Sequence, residues 1–177
     1  MDVKEAIEKR RSIRKYKRQP IELEIVEKLL YYANLAPSAG NLQARDFIIV
    51  DDDENVKRRL ARAAYNQEFI EEAPIVVVFC ANLQRISPYG ERGRNFYCLQ
   101  DVAAAIQNFL LVATSEGLAT CWVGAFDDEE VAEILDLPSY VRAVAIVPVG
   151  IGDEKPTKTE RYDLKELIHY NKWENKI

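Results

Sequence analysis

Apolar positions along this chain follow two rhythms. In some stretches they recur every three or four residues, which predicts amphipathic helices; in others they run without a polar break, which predicts strands buried on both faces. Val3, Ala6 and Ile7 fall on one helical face, and Asp2 followed by Glu5 has capping-box spacing, so a helix is expected from about Val3 to Arg11. Residues 22–35 repeat the pattern, with Leu23, Val26, Leu29, Leu30 and Ala33 inward. Pro37 stops that helix, and Ser38-Ala39-Gly40-Asn41 is loop chemistry. Phe47-Ile48-Ile49-Val50 reads as a short strand closed by Asp51-Asp52-Asp53. Helix follows through about Ala64, with a second helical piece from Gln67 to Glu72.

Pro74 opens Ile75-Val76-Val77-Val78-Phe79-Cys80, an apolar run without alternation. Such a strand is buried on both faces, so helices must cover both sides of its sheet. Residues 82–95 are polar and hold Pro88, Gly90 and Gly93; they read as a mobile loop that could act as a lid. Phe96 to Glu116 is a long helical run, apolar nearly all round, with Gly117 as its stop. A helix of that kind is central or forms half of a subunit interface. Ala119 to Val123 is a strand, Asp127 or Asp128 caps a short helix ending before Pro138, and Arg142 to Val149 is another strand. From Gly150 the tail is polar and extended, with a helical patch near Leu164 to Ile168. The order predicts a three-layer α/β/α arrangement around about four strands, within one domain over residues 1–177. Spacing alone leaves the mutual direction of the strands open.

Charge adds a local feature. Lys9-Arg10-Arg11-Ser12-Ile13-Arg14-Lys15-Tyr16-Lys17-Arg18 carries seven cations and no acid. Without them, 17 Lys+Arg face 29 Asp+Glu, so the rest of the chain sums to −12. A basic patch on an acidic protein points to a compact anion such as a phosphate, whereas the net charge argues against non-specific nucleic-acid binding. The most hydrophobic stretches are interrupted by Gln100, Asp101, Gln107 and Asn108 short of a membrane span, and the N-terminus lacks the pattern of a signal peptide. Cys80, Cys98 and Cys121 lie far apart in apolar contexts, which fits buried free thiols in a reducing cytoplasm. One histidine, His169, supplies a metal site or a histidine-dependent triad poorly.

No dinucleotide fingerprint, phosphate-binding P-loop, nucleophile elbow or zinc-protease motif is present, so an enzyme built on this chain needs a borrowed cofactor. Arg10, Ser12 and Arg14 alternate, so in extended chain they point to one side while Ile13 points to the other. Guanidinium forks match phosphate bidentately, and Ser12 adds a hydroxyl. Lys158 and Arg161 form a second basic pair in the tail. Ala36-Pro37-Ser38-Ala39-Gly40-Asn41-Leu42-Gln43 joins small residues, which admit a flat ligand, to amides that suit a heterocycle edge. In Gly117-Leu118-Ala119-Thr120-Cys121-Trp122-Val123-Gly124-Ala125-Phe126, Gly124 can bring a backbone N–H against a ligand. The plainer reading of that segment makes Trp122 core and Gly124 a turn.

In this order and spacing, RRSIRKY, APSAGNLQ, NQEFIEEAPIVVV, GLATCWVGAFD and PVGIGDEKPTKTERYDL resemble the nitroreductase family of FMN-dependent oxidoreductases over nearly the whole chain. The resemblance implies an α+β fold with a mostly antiparallel sheet. It also implies a homodimer with C-terminal arms exchanged between subunits and two FMN sites at the interface. By that similarity Arg10, Arg11, Ser12 and Arg14 bind the FMN phosphate, ribityl chain and ring edge, and Lys158 and Arg161 complete the phosphate site. Pro37, Ser38, Ala39 and Asn41 reach the flavin from the partner subunit, and either Asn66 or Gln67 bonds the ring or ribityl chain. The backbone at Gly124 and Ala125 faces flavin N5.

What the resemblance implies for activity is ping-pong turnover. NADH or NADPH reduces the flavin, and a nitroaromatic, quinone, enone or second flavin then takes the electrons in the same pocket. Tyr89, Phe96 and Tyr97 are candidates to line it. No side chain is needed as a catalytic acid or base. Other readings are a flavin carrier or sensor without turnover, a flavin-consuming or dehalogenating relative, and a nucleic-acid site at the basic stretch.

Overall fold

In the computed structural model, which describes residues 1–176, four strands form one sheet in the order β1-β2-β4-β3. β1 is Arg45–Val50, β2 is Ile75–Asn82, β3 is Ala119–Thr120 and β4 is Val141–Gly150. Every pairing of these strands is antiparallel. β2 and β4 lie at the centre because their runs have no polar alternation to present to water. All of β2 is buried, and β4 is buried from Ala145 to Gly150.

Helices cover both faces. On one side α2 (Leu23–Asn34) and α6 (Cys98–Ser115) pack Val26, Leu29, Ile106 and Phe109 against Ile75, Val77 and Phe79. On the other, α3 (Glu54–Ala63), α4 (Phe69–Glu72) and α7 (Asp128–Ile134) pack Leu60, Ile70 and Val131 against Val76, Val78 and Cys80. Alternate β2 residues therefore feed two separate cores, as the two-residue period of a strand requires. The arrangement is the expected three-layer α+β fold.

Local signals explain most boundaries. Asp2 and Glu5 form the capping box of α1 (Val3–Lys9): the Glu5 N–H donates to Asp2 Oδ1 at 2.9 Å, and the Asp2 N–H donates to Glu5 Oε2 at 3.1 Å. Asp53 caps α3 and Asp127 caps α7. Gly117 takes φ +78° just past α6, the left-handed position that glycine fills without strain. The tail carries one short helix, α8 (Leu164–Leu167).

Three expectations change. α1 ends at Lys9 rather than Arg11, and of its apolar face only Ala6 is buried, with Val3 and Ile7 exposed. Leu23 is also exposed, at the first turn of α2 where the helix lifts off the core. The largest change is at residues 82–95: Asn82 ends β2, 83–86 form a turn, and the segment is helical from Ser87 rather than loop. Ser87–Tyr89 is a 3₁₀ turn, α5 (Gly90–Arg92) follows, and Gly93–Tyr97 is a π-helical turn leading into α6. The glycine and proline signals misled for identifiable reasons. Pro88 sits in the first turn of a helical piece, where its missing N–H is harmless. A Cβ at Gly93 would lie 2.7 Å from Tyr89 Cβ and 2.8 Å from the Ile86 carbonyl, so that glycine permits close packing. Ile86 is fully buried and pins the segment.

The helical run Ser87–Ser115 spans 29 residues and is apolar enough on average to cross a membrane, so Gln100, Asp101, Gln107 and Asn108 do not interrupt it. Its apolar face, however, is taken up by the sheet and α2, and Asp101 is buried within it.

All three cysteines are free and buried. Burial pushes the Cys80 thiol up to about 12 and raises Cys98 and Cys121 as well, and burial likewise raises the Tyr16 hydroxyl. Each group stays protonated in the folded chain to a higher pH than in the unfolded one. Their contribution is therefore fully present below the unfolded thiol value and is lost as pH rises toward the folded values. The urea midpoint is expected to fall as pH rises from 9.0 to about 12, the interval between the free and buried values of the Cys80 thiol; a midpoint that holds or rises across it contradicts this account.

Candidate functional site

The basic segment leaves α1 as extended chain along the open edge of the sheet. The Ile13 N–H donates to the Thr120 carbonyl at 3.0 Å, and Ser12 bridges Thr120 in parallel. Ile13 and Tyr16 turn inward and are buried; the Tyr16 hydroxyl donates to the Ile13 carbonyl at 2.7 Å. The tail returns antiparallel: Asp153 N–H donates to the Lys15 carbonyl at 2.9 Å, and Lys17 N–H donates to the Ile151 carbonyl at 2.8 Å. Alternation therefore sends Arg10, Ser12 and Arg14 to one side, as the sequence predicts, and the tail folds over them.

The result is a cavity of about 470 Å³ lined by Arg10, Arg11, Ser12 and Arg14 from the front of the chain and by Lys155, Thr157 and Arg161, among others, from the tail. One acid enters it. Glu154 accepts from the backbone N–H groups of Arg14 and of Lys15, the latter at 3.2 Å. Lys158 lies one cavity over, with Lys9, Arg11 and Arg161. Behind Ser12 the Cys121 thiol is raised by burial, against which Arg14, the Ser12 hydroxyl and Arg10 pull it down. The donor set is guanidinium, ammonium and hydroxyl around a small opening, which suits a phosphate monoester.

From this cavity a surface continues along the edge. The Arg14 guanidinium lies 5.9 Å from the Phe69 ring centroid. Beyond it, Gln67 Nε2 donates to the carbonyls of Ala64 at 2.9 Å and Ala125 at 3.3 Å, joining the 66–67 turn to the Gly124-Ala125 turn. Asn66 is exposed at φ +61°, and its side chain bonds nothing among the described residues. Gly124 and Ala125 are exposed, and a Cβ at Gly124 would meet only Trp122 Nε1, at 3.8 Å. Packing therefore does not demand a glycine here, and its face is open. Trp122 is 38% exposed and is not core: β3 stops at Thr120 rather than Val123, and Trp122 alternates with the buried Cys121 and Val123 in the chain that follows it.

Pro37, Ser38, Ala39 and Asn41 are not brought to this surface within one chain. Their loop is anchored on Arg45, opposite Ala81 where β2 ends, whereas Tyr16 reaches Pro148 where β4 ends and β2 begins. At about 3.3 Å per residue, the two ends of β2 lie more than ~20 Å apart. The 37–41 loop instead meets the helical segment before α6. A Cβ at Gly40 would lie 2.5 Å from the Tyr89 hydroxyl, and Tyr89 packs edge-on against Tyr97. Arg92 sits over Phe96 and Tyr97 at 5.4 and 5.3 Å and donates to the Tyr97 hydroxyl.

Sequence reasoning did not find Glu154 inside the basic cavity, Phe69 beneath Arg14, or the buried Arg45 and Asp101 behind the 37–41 loop. Only the last had a signal: a charged residue inside an otherwise apolar helix. Among the described residues no cluster of His, Cys, Asp and Glu is arranged to hold a metal. His169 stacks on Trp173 at 4.1 Å, and its Nδ1 accepts from the Glu174 N–H.

Comparison with known proteins gives concordant results. The sequence model of the Nitroreductase family matches residues 7–67 and 61–151. An FMN reductase (NADPH) of Bacillus subtilis is 32% identical over 181 residues, which is 94% of this chain and 72% of that protein. An NADH dehydrogenase of Thermus thermophilus is 29% identical over 196 residues, covering 95% of each. The crystal structure of a nitroreductase family protein from Clostridium novyi superposes with a TM-score of 0.79 at 31% identity, over 99% of this chain and 97% of that one.

Proposed function

This chain belongs to the nitroreductase family, and on that premise we propose how its residues serve an FMN-dependent oxidoreductase that passes two electrons from NAD(P)H to a small organic acceptor. The observation that carries the reading is the cavity in which Arg10, Arg11, Ser12 and Arg14 meet Arg161, residues some 150 positions apart in sequence. Bound FMN supplies the centre that takes up and gives back a hydride. The protein's part is to bind, orient and polarise. Arg10, Arg14 and Arg161 neutralise the phosphate, Ser12 donates its hydroxyl, and Lys158 adds longer-range positive charge. Asn66 is the better placed of the two amides to reach a ligand, because both Gln67 donor bonds go to backbone carbonyls. The open backbone at Gly124 and Ala125 admits a flat ring.

The partner of this site is a second copy of the chain, with residues 1–177 acting as one FMN-binding domain. Val3, Ile7 and Leu35 are exposed beside a groove of about 300 Å³ between α1, α2 and α6. Tyr162, Leu164, Leu167 and Trp173 are exposed on the tail. A monomer would leave all of these in water, whereas a homodimer with exchanged tails covers them. The same association carries the 37–41 loop, with Tyr89 and Tyr97, to the flavin of the other subunit. Nitroaromatics, quinones, enones and free flavins are the acceptor classes such an open, aromatic-edged site suits. The cytoplasm is the compartment that fits three free thiols.

The test is a visible spectrum of the purified protein, mass identification of the released chromophore, and NAD(P)H oxidation with an added quinone or nitroarene. Flavin absorption with sustained oxidation is expected. A yellow protein that does not turn over supports a carrier, and a colourless one that binds DNA in a steeply salt-dependent way overturns the reading. His169→Ala is expected to leave kcat unchanged within about twofold, because that ring only packs against Trp173 and accepts one backbone bond. A collapse in steady-state turnover with the dimer intact would expose a catalytic group missing from this account.

A further inference from the structure

Arg45 and Asp101 are the two most deeply buried acidic or basic groups beside the 37–41 loop, 3% and 4% exposed. Arg45 turns its guanidinium into the end of α2. It donates to the carbonyls of Asn34 at 2.7 Å, Ala36 at 2.8 Å and Pro37 at 3.3 Å, and to Asn34 Oδ1 at 3.3 Å. A fifth, longer bond at 3.5 Å reaches the Asp101 carbonyl. The Asp101 carboxylate projects from α6 and accepts the Ala39 N–H on Oδ1 at 2.9 Å. Its Oδ2 is buried without a partner among the described residues.

The loop they hold has an unusual backbone. Gly40, Asn41 and Gln43 take φ of +54°, +55° and +49°. Left-handed conformations at non-glycine residues persist where surrounding contacts over-determine them. A carboxylate with one unpaired, buried oxygen is a poor choice for stability alone, since a neutral acceptor meets the Ala39 N–H with less desolvation. What the negative charge adds is compensation for the buried Arg45 cation, and what the pair achieves together is a fixed loop.

We propose that Asp101, with Arg45, is a positioning residue that sets the 37–41 loop of one protomer against the flavin ring held by the other. This rests on the FMN reading above and deepens it: Pro37-Ser38-Ala39-Gly40-Asn41 carries no cation to meet a phosphate, so the clamp acts on the ring and not on the phosphate. It therefore predicts an effect that ignores whether the ligand carries a phosphate.

The experiment measures dissociation constants for FMN and for riboflavin with the full-length protein. Asp101→Ala should weaken both by about tenfold or more, leaving their ratio as in wild type, because a buried donor loses its acceptor. Asp101→Asn keeps an acceptor for the Ala39 N–H but drops the charge that offsets Arg45, so it should recover part of that loss. Ala39→Pro removes the donor and adds two ring carbons, at the first position of a short helical turn after the extended Ser38, where proline fits; it should reproduce the Asp101→Ala result even if that variant does not fold. Unchanged affinities in folded Asp101→Ala or Ala39→Pro overturn the proposal, as does a loss confined to FMN. If wild type itself binds neither flavin, the FMN reading fails and the proposal falls with it.

Discussion

Replacing Arg14 by alanine is expected to weaken FMN binding by about 10- to 150-fold, because a charged hydrogen bond to phosphate contributes on the order of 1.5–3 kcal/mol. Arg14 is exposed and lines the cavity that Arg161 closes from the tail, so its cation has no buried structural duty. Its one aromatic contact, over Phe69 at 5.9 Å, is at the weak end of cation–π geometry. Folding should therefore change by less than about 1 kcal/mol, as is usual for a surface substitution. Arg10→Ala should act in the same direction. Fluorescence titration of released apoprotein with FMN and with riboflavin reads the effect, and the loss should be confined to FMN. Equal flavin occupancy in variant and wild type would count against the phosphate assignment of both arginines.

Phe79→Ala should destabilise the fold by about 3–5 kcal/mol, the range for truncating a fully buried aromatic side chain. Phe79 is 0% exposed at the centre of β2. Its ring is edge-on to Phe47 and to Phe109, each at 5.3 Å between centroids, so it ties β1 and α6 to the central strand. Losing it removes apolar contact on both sides and leaves a cavity that helices on a sheet close only in part. Urea unfolding of the purified variant measures the change, and a loss below about 1 kcal/mol would mean that the core repacks freely around this position.

The central fold was legible wherever one physical signal dominated. The unbroken run at Ile75–Cys80 could only be a strand covered on both faces, and it is. Asp2, and the choice of Asp127 or Asp128, announced their helices through capping, which acts within one turn; Asp53, read only as the close of a strand, caps α3 as well. Strand direction was not legible, because parallel and antiparallel partners bury the same apolar side chains. The 82–95 segment was misread because proline and glycine were taken for breakers; Pro88 begins a turn and Gly93 makes room for Tyr89 and Ile86, roles set by how the turns pack and not by residue type. The plainer reading of the 117–126 segment, with Trp122 in the core, fails because that side chain is 38% exposed.

The site divides along the same line. Arg10, Ser12 and Arg14 could be read from their alternation, since a strand's period is local. That Arg161 closes over them, and that Glu154 sits among them, depends on the tail's return across nearly the whole chain. The 37–41 loop was picked out by its small and amide residues, yet Arg45 and Asp101, which fix it, have no shared motif and meet only once α2, β1 and α6 are packed.

The most direct measurement is a crystal structure of the protein grown with FMN. It should show two protomers and the phosphate within about 2.7–3.1 Å of guanidinium nitrogens of Arg14 and Arg161 of one chain. The isoalloxazine ring should lie between the Gly124 backbone of that chain and the 37–41 loop of the other. A structure in which Arg14 and Arg161 point apart, with FMN bound elsewhere or not at all, contradicts the account.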